Sequence, residues 1–117
     1  MSEKQRFGGI SRLYGVDGTE KLAAAHVCVT GVGGVGAWSA EALARSGVGT
    51  ITLIDLDDVC TTNINRQIHA LDNTVGQAKV DVLAERIKLI NPACRVITVE
   101  DFVTPENVRE VLHTDMD

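Results

Sequence analysis

No stretch of this 117-residue sequence is apolar for the length of a membrane span, and Met1–Gly9 holds no hydrophobic segment of the kind that directs secretion. Cysteine is scarce. Cys28, Cys60 and Cys94 are an odd number with no C-x-x-C spacing, which points to neither a disulfide framework nor a zinc site and fits a reducing cytoplasm. Basic excess is absent too. Eleven Lys and Arg face 16 Asp and Glu, a net charge of −5, so a general electrostatic grip on nucleic acid is not written into these residues. There is no internal repeat and no low-complexity tract.

What is present is organised around residues 27–55, VCVTGVGGVGAWSAEALARSGVGTITLID. A β-rich run, His26–Thr30, leads into a glycine turn, Gly31-x-Gly33-Gly34-x-Gly36. An alanine-rich helix over about Val35–Ser46 follows, then a second β-rich run, Thr50–Ile54, that ends on Asp55. Each part has a physical reason. Gly31 allows a tight exit from the strand, Gly33 and Gly34 let backbone approach a phosphate, and Gly36 lets the helix pack close on the sheet. The free N–H groups and positive dipole end of that helix then face an anion. Asp55 stands where an acid accepts hydrogen bonds from ribose hydroxyls.

The rest of the chain reads as follows. Residues 1–16 are polar with glycines and predict a surface arm rather than a core element. Thr19–Ala25 predicts a short helix with Thr19 as its cap. Residues 56–67 are polar and aperiodic, hence loop with at most a short helical turn. Gln77–Asn91 predicts an amphipathic helix, with Val80, Leu83, Ala84, Ile87 and Ile90 near helical spacing. Arg95–Val99 is a third strand. Thr104 and Pro105 supply the cap and first position of a last helix. This order predicts an α/β, Rossmann-like parallel sheet with flanking helices, divided into an arm and short helix (1–25) and an incomplete nucleotide-binding domain (26–117). Doubly wound folds usually have five or six strands. Three therefore predict the N-terminal portion of a larger protein, with a small core and an exposed sheet edge.

A nicotinamide or flavin oxidoreductase uses the same turn and the same acid. The residues after the acid differ from its needs: Asp57, Asn63, Arg66, Gln67, and Lys79 in the first turn of the next helix. A nucleoside triphosphate needs such cations. Arg66 can hold phosphate oxygens in its planar fork and Lys79 can add a point charge. Both neutralise charge that builds during phosphoryl or nucleotidyl transfer. Asn63 and Gln67 can orient a phosphate or the ribose. Taken singly, a loop Arg is solvated, a Lys at a helix start is surface, and Asp57 and Asp58 cap a turn; the case rests on their joint placement. Cys60, Cys28, His26 and His69 read as structural, with Cys28 in the strand core. Trp38 reads as packed core or interface.

GxGGVG, LIDLDDV, NxxRQ and GQAK together resemble the adenylyltransferase superfamily of ubiquitin-activating-like enzymes, which includes the molybdopterin- and thiamine-biosynthesis activating proteins. The resemblance covers about residues 6–105. RFGGISRLYG, TNINRQIHAL and NPACRVITVEDFVTPENV are most similar to the bacterial members that dehydrate threonylcarbamoyl-modified adenosine in tRNA. The resemblance implies that Gly31, Gly33, Gly34 and Gly36 form the turn around ATP, that Asp55 holds the ribose, that Asn63, Arg66 and Lys79 surround the phosphates, and that Gln67 supports them. It also implies ATP and Mg²⁺ as cofactors, tRNA as substrate, a cytoplasmic homodimer and a possible sulfur-transfer protein partner. The superfamily's magnesium-binding Asp falls after Asp117, which implies that these residues alone are inactive. An arginine that relatives send to the partner's ATP aligns with Gly9, leaving Arg6 or Arg12 as substitutes. Two other readings within reach are activation of a ubiquitin-like sulfur carrier's C-terminus and a non-catalytic nucleotide-binding or dimerisation module.

Overall fold

The strands form where β-branched residues cluster: β1 (His26–Thr30), β2 (Thr50–Ile54) and β3 (Arg95–Val99). A computed structural model describing residues 1–117 pairs them in parallel in the order β1-β2-β3. His26 lies opposite Thr50, and Thr50 opposite Arg95. Parallel neighbours need crossovers, and α2 (Gly36–Arg45) and α3 (Lys79–Ile90) supply them. α2 packs on β1, β2 and α3, and α3 packs on β2 and β3. The three-stranded, Rossmann-like α/β architecture is the one the sequence predicts, with element ends within about two residues.

One face of the sheet carries the core. Alternation sends Val27, Val29, Ile51, Leu53 and Val96 toward the helices, where they meet Ala37, Ala40 and Ala44 of α2 and Leu83 and Ile87 of α3. Alanine on α2 keeps helix and sheet close. Gly36 carries this to its limit, since a Cβ there would lie 1.7 Å from the Gly31 carbonyl oxygen. Gly49 plays the same part where the N-terminal helix enters the sheet: a Cβ would lie 1.8 Å from the Ala23 carbonyl oxygen. On the opposite face, the His26 ring shares a 2.7 Å hydrogen bond with the Thr52 hydroxyl. Cys28, expected in the strand core, is half-buried because alternation points it to this thinly covered face. The edge of β1 is met at His26, whose carbonyl accepts from Asp117 N at 2.7 Å.

The N-terminal arm differs from expectation. Glu3–Ala24 is helical (α1), opened by a capping box between Ser2 and Gln5 and kinked at Gly15, where φ is +76°. Phe7 is buried and lies against Gly47, its ring 3.4 Å from where a Cβ would stand. Arg6 Nη1 donates to the Ile90 carbonyl at 2.7 Å, closing the C-terminal end of α3. One aromatic and one cation dock the segment, so no apolar periodicity marks it. Thr19 stands inside α1 rather than at a cap, its hydroxyl donating to the Gly15 carbonyl. Thr104, expected as the cap of a helix opening at Pro105, closes only the turn before the last helix, whose N-cap is Asn107. The Thr104 hydroxyl accepts from Asn107 N at 3.2 Å and Asn107 Oδ1 accepts from Thr104 N at 2.7 Å. Regular helix there is confined to α4 (Val108–Val111). No helix is long and apolar enough to cross a membrane.

The docking of α1 through Phe7 predicts that Phe7→Ala lowers unfolding free energy by about 3 kcal/mol, the usual cost of truncating a buried aromatic. Chemical denaturation measures it, and an unchanged midpoint would mean that α1 contributes nothing to the core.

Candidate nucleotide-binding site

The C-terminal ends of the three strands converge on one cleft, the place where open parallel sheets receive ligands. β1 leaves the sheet through Gly31, at φ +88°, whose N–H donates to the Ile54 carbonyl at 2.7 Å. Val32 follows, fully buried. Its N–H donates to Asp55 Oδ2 at 2.9 Å, and its carbonyl accepts from His69 Nε2 at 2.7 Å. Asp55 Oδ1 also accepts from Asp57 N at 2.8 Å. Asp55 therefore shapes both the glycine turn and the loop after β2, and each oxygen keeps a lone pair for a ligand hydroxyl.

Beyond Val32, the backbone N–H groups of Gly33, Gly34, Val35 and Gly36 donate no hydrogen bond within the chain. Val35, the N-cap of α2, provides no side-chain cap. Four consecutive free donors at the positive end of a helix form a nest for an anion. Glycine is required at Gly36, where a side chain would collide with the Gly31 carbonyl.

The cations come from the segment between β2 and α3. A 3₁₀ turn, Thr61–Asn65, is tied by the buried Asn63, whose Oδ1 accepts from Cys60 N at 2.8 Å. The Asn63 amide nitrogen has no partner and remains a donor. Arg66 follows directly. Its Cγ and Cδ lie 3.8 Å from where a Gly34 Cβ would stand, so its stem crosses the glycine turn. Its Nη1 donates to the Thr62 carbonyl and Asn65 Oδ1 at 3.1 and 3.0 Å, and its carbonyl accepts from Trp38 Nε1 at 3.0 Å. Trp38 is 53% exposed. It is a strut between α2 and the Arg66 loop, and of the two readings, packed core or interface, its exposure removes the first. Gln67 is buried with its Nε2 3.7 Å from the Gly33 Cβ position and its Oε1 unpartnered.

Lys79, the first residue of α3, is brought to the site by an antiparallel bridge between Asp58 and Ala78 and by its own N–H, which donates to the Asp57 carbonyl at 3.1 Å. Its side chain is 7% exposed, yet none of the four ion pairs in the structure includes it. Its Nζ is not among the buried unpartnered atoms, so the stem is covered while the ammonium keeps access to solvent and is free to meet an anion.

Sequence reasoning passed over two contributors. Asp101, Phe102 and Val103, following β3, join Thr30, Gly31 and Asp55 around a cavity of about 240 Å³. Topology alone brings this loop beside the other two strand ends, so no local signal marks it. His69 is the second. Burial pushes its imidazolium below the usual histidine range, and nearby Lys79 adds to this, against the Val32 hydrogen bond and Asp55. Because a carbonyl only accepts, Nε2 carries the hydrogen; Nδ1 is buried and unpartnered.

The remaining candidates separate. The exposed Cys60 thiol contacts the Asp58 carbonyl at 3.6 Å, with no histidine hydrogen-bonded to it. Arg6 is committed to Ile90. Arg12 is exposed and makes no polar bond within the chain. A cavity edged by Asp55, next to a glycine turn with four free amides and the Arg66 stem across it, suits a nucleoside polyphosphate. No group of three or more metal-ligating side chains forms.

Known proteins resemble this chain in sequence and fold. The chain is 63% identical over 93% of its length to tRNA threonylcarbamoyladenosine dehydratase of Escherichia coli, and 53% identical over 88% to the protein of that name from Bacillus subtilis. It covers 41% of each, so it spans less than half the length of these relatives. The crystal structure of the E. coli dehydratase in complex with ATP superposes with a TM-score of 0.90 at 64% identity, covering 92% of this chain and 45% of that one. A structure of PaaA superposes at 0.87 with 34% identity, covering 98% of this chain and 40% of that one. The ThiF family model matches residues 8–117, nearly the whole chain, and the chain belongs to the ThiF family.

Proposed function

We propose that these residues are the ATP-binding part of an adenylating enzyme that activates the threonylcarbamoyl carboxylate of modified adenosine in tRNA and cyclises it with loss of water. The observation that carries this reading is the run of four free amides on the glycine turn, with Arg66 lying across it and Lys79, in no ion pair, near the His69 ring that is bonded to that turn. A dinucleotide's adenosine half needs no such charge. The likeness to the E. coli dehydratase, solved with ATP, supports the choice of nucleotide, and that to three bacterial proteins of this name supports the substrate.

In this reading the Asp55 carboxylate accepts from the ribose, and the amides of Gly33, Gly34, Val35 and Gly36 donate to phosphate oxygens. A substrate carboxylate oxygen attacks the α-phosphorus, the bond to the β-phosphate breaks, and pyrophosphate leaves. Arg66 and Lys79 stabilise the charge that develops on the phosphates. The Asn63 amide donates to a phosphate or the ribose, and Gln67 holds the Arg66 loop in place. A nitrogen of the modified base then attacks the acyl carbon and AMP leaves, which completes the dehydration. Asp57 stands at the cavity wall beside Asp55. Mg²⁺ would accompany the triphosphate as its counter-ion. With no cluster of metal-ligating side chains in these residues, no step is assigned to the metal here. The reading also carries a cytoplasmic location and a homodimer in which Arg12, free within its own chain, reaches the partner. The acidic balance of these residues leaves most of the tRNA grip to other parts of the protein or to a local patch.

Calorimetric titration of the intact protein with ATP–Mg²⁺ and separately with NAD tests the nucleotide, with heat expected for ATP only. NAD binding without ATP binding would overturn the adenylating reading. Arg66→Ala and Lys79→Ala should each slow pyrophosphate release about 10²–10³-fold, as loss of one transition-state donor does; near-normal rates in both would remove them from the mechanism. Asp55→Ala should weaken ATP affinity by about tenfold or more, the cost of a charge-assisted hydrogen bond. Unchanged affinity would put Asp55 outside the ribose site.

A further inference from the structure

His69 has a place in the fold that its distance in sequence from the glycine turn conceals. It is 1% exposed, and the only polar partner of its ring is the Val32 carbonyl, 2.7 Å from Nε2. That carbonyl belongs to the peptide whose other end is the Gly33 N–H. No peptide in the chain is cis, and in a planar trans peptide the C=O and N–H vectors point in opposite directions. By drawing the Val32 carbonyl into the interior, His69 turns the Gly33 N–H outward. That N–H is the first of the four free amides. The preceding peptide is held by its N–H, through Asp55. Without His69, the Val32–Gly33 peptide could rotate about ψ of Val32 and φ of Gly33, and the glycine makes the second rotation cheap.

We infer that His69 is a positioning residue for the phosphate turn: as a neutral ring with its hydrogen on Nε2, it aims the Gly33 N–H at the bound phosphate. The inference rests on the reading that the turn receives the nucleotide's phosphates. The surroundings suit the role. Burial disfavours a positive charge on the ring, and nearby Lys79 adds to this. Its unprotonated Nδ1 faces the interior with no partner. A ring that served only as core packing would be served better by an apolar side chain, which leaves no orphaned nitrogen.

The test separates phosphate contacts from general folding. ATP and adenosine affinities are measured by calorimetry on the intact protein for wild type, His69→Leu and His69→Gln. Leu fills the space without a donor. The Gln amide reaches the same carbonyl. His69→Leu should weaken ATP by about tenfold, the effect of losing one well-placed hydrogen bond, while leaving adenosine within about twofold. His69→Gln should return ATP to within about threefold of wild type. Equal losses for ATP and adenosine, or no loss for ATP, would overturn the inference. So would a His69→Gln variant as weak as His69→Leu. If His69→Leu does not fold, His69→Asn replaces it, since its amide stops short of the Val32 carbonyl, and the same outcomes apply. Wild type that binds no ATP would instead overturn the proposed function, and this inference with it.

Discussion

The site depends on one peptide segment that cannot be left to itself. Val32 is fully buried, so its N–H and carbonyl must both find partners inside the protein. Asp55 takes the first and His69 supplies the second. These two residues come from the end of β2 and from the loop before α3. The glycine turn is therefore anchored at two points supplied by two later segments. Fixing Val32 also decides the rest of the turn. The four amides after it have no internal partner, because the start of α2 has nowhere to fold back to.

Charge follows the same logic. The chain is acidic overall, yet two cations stand at this cleft without an ion pair. Arg66 lies across the glycine turn, held from below by Trp38. Lys79 is delivered by the bridge that ties the acid loop to the start of α3. Two arginines on the helices are neutralised instead. Arg45 and Arg86 both bind Glu41. Burial pushes that carboxyl up, but hydrogen bonds from the two guanidinium groups outweigh it and hold it below the usual range. The contrast between satisfied arginines and a lysine in no ion pair is what distinguishes a binding site from a structural ion pair.

α1 shows a different way of holding a segment. It lacks an amphipathic stripe, and its attachment is a set of point contacts: Phe7 over Gly47, Arg6 on the end of α3, and the Ala23 carbonyl against Gly49. Two of these contacts require glycine on the receiving side. Close approach of backbone to backbone, rather than burial of a large apolar area, seats the helix.

The three strands, the two crossover helices and the nucleotide turn were legible in the sequence. Their signals are local: β-branched runs, a 3.6-residue period over Gln77–Asn91, and glycines at fixed offsets between strand and helix. Arg66 and Lys79 were legible only as a pair following such a turn. Tertiary structure decided the rest. It alone covered the Lys79 stem without giving it an ion pair, turned Asp55 into an anchor for the glycine turn, brought Asp101–Val103 to the cavity and gave His69 a partner 37 residues away. It also converted a polar, aperiodic N-terminus into a docked helix. The physical reason is the same in each case. Periodicity and turn chemistry are properties of neighbouring residues, whereas the need of a buried polar group for a partner is met by whatever the fold brings beside it.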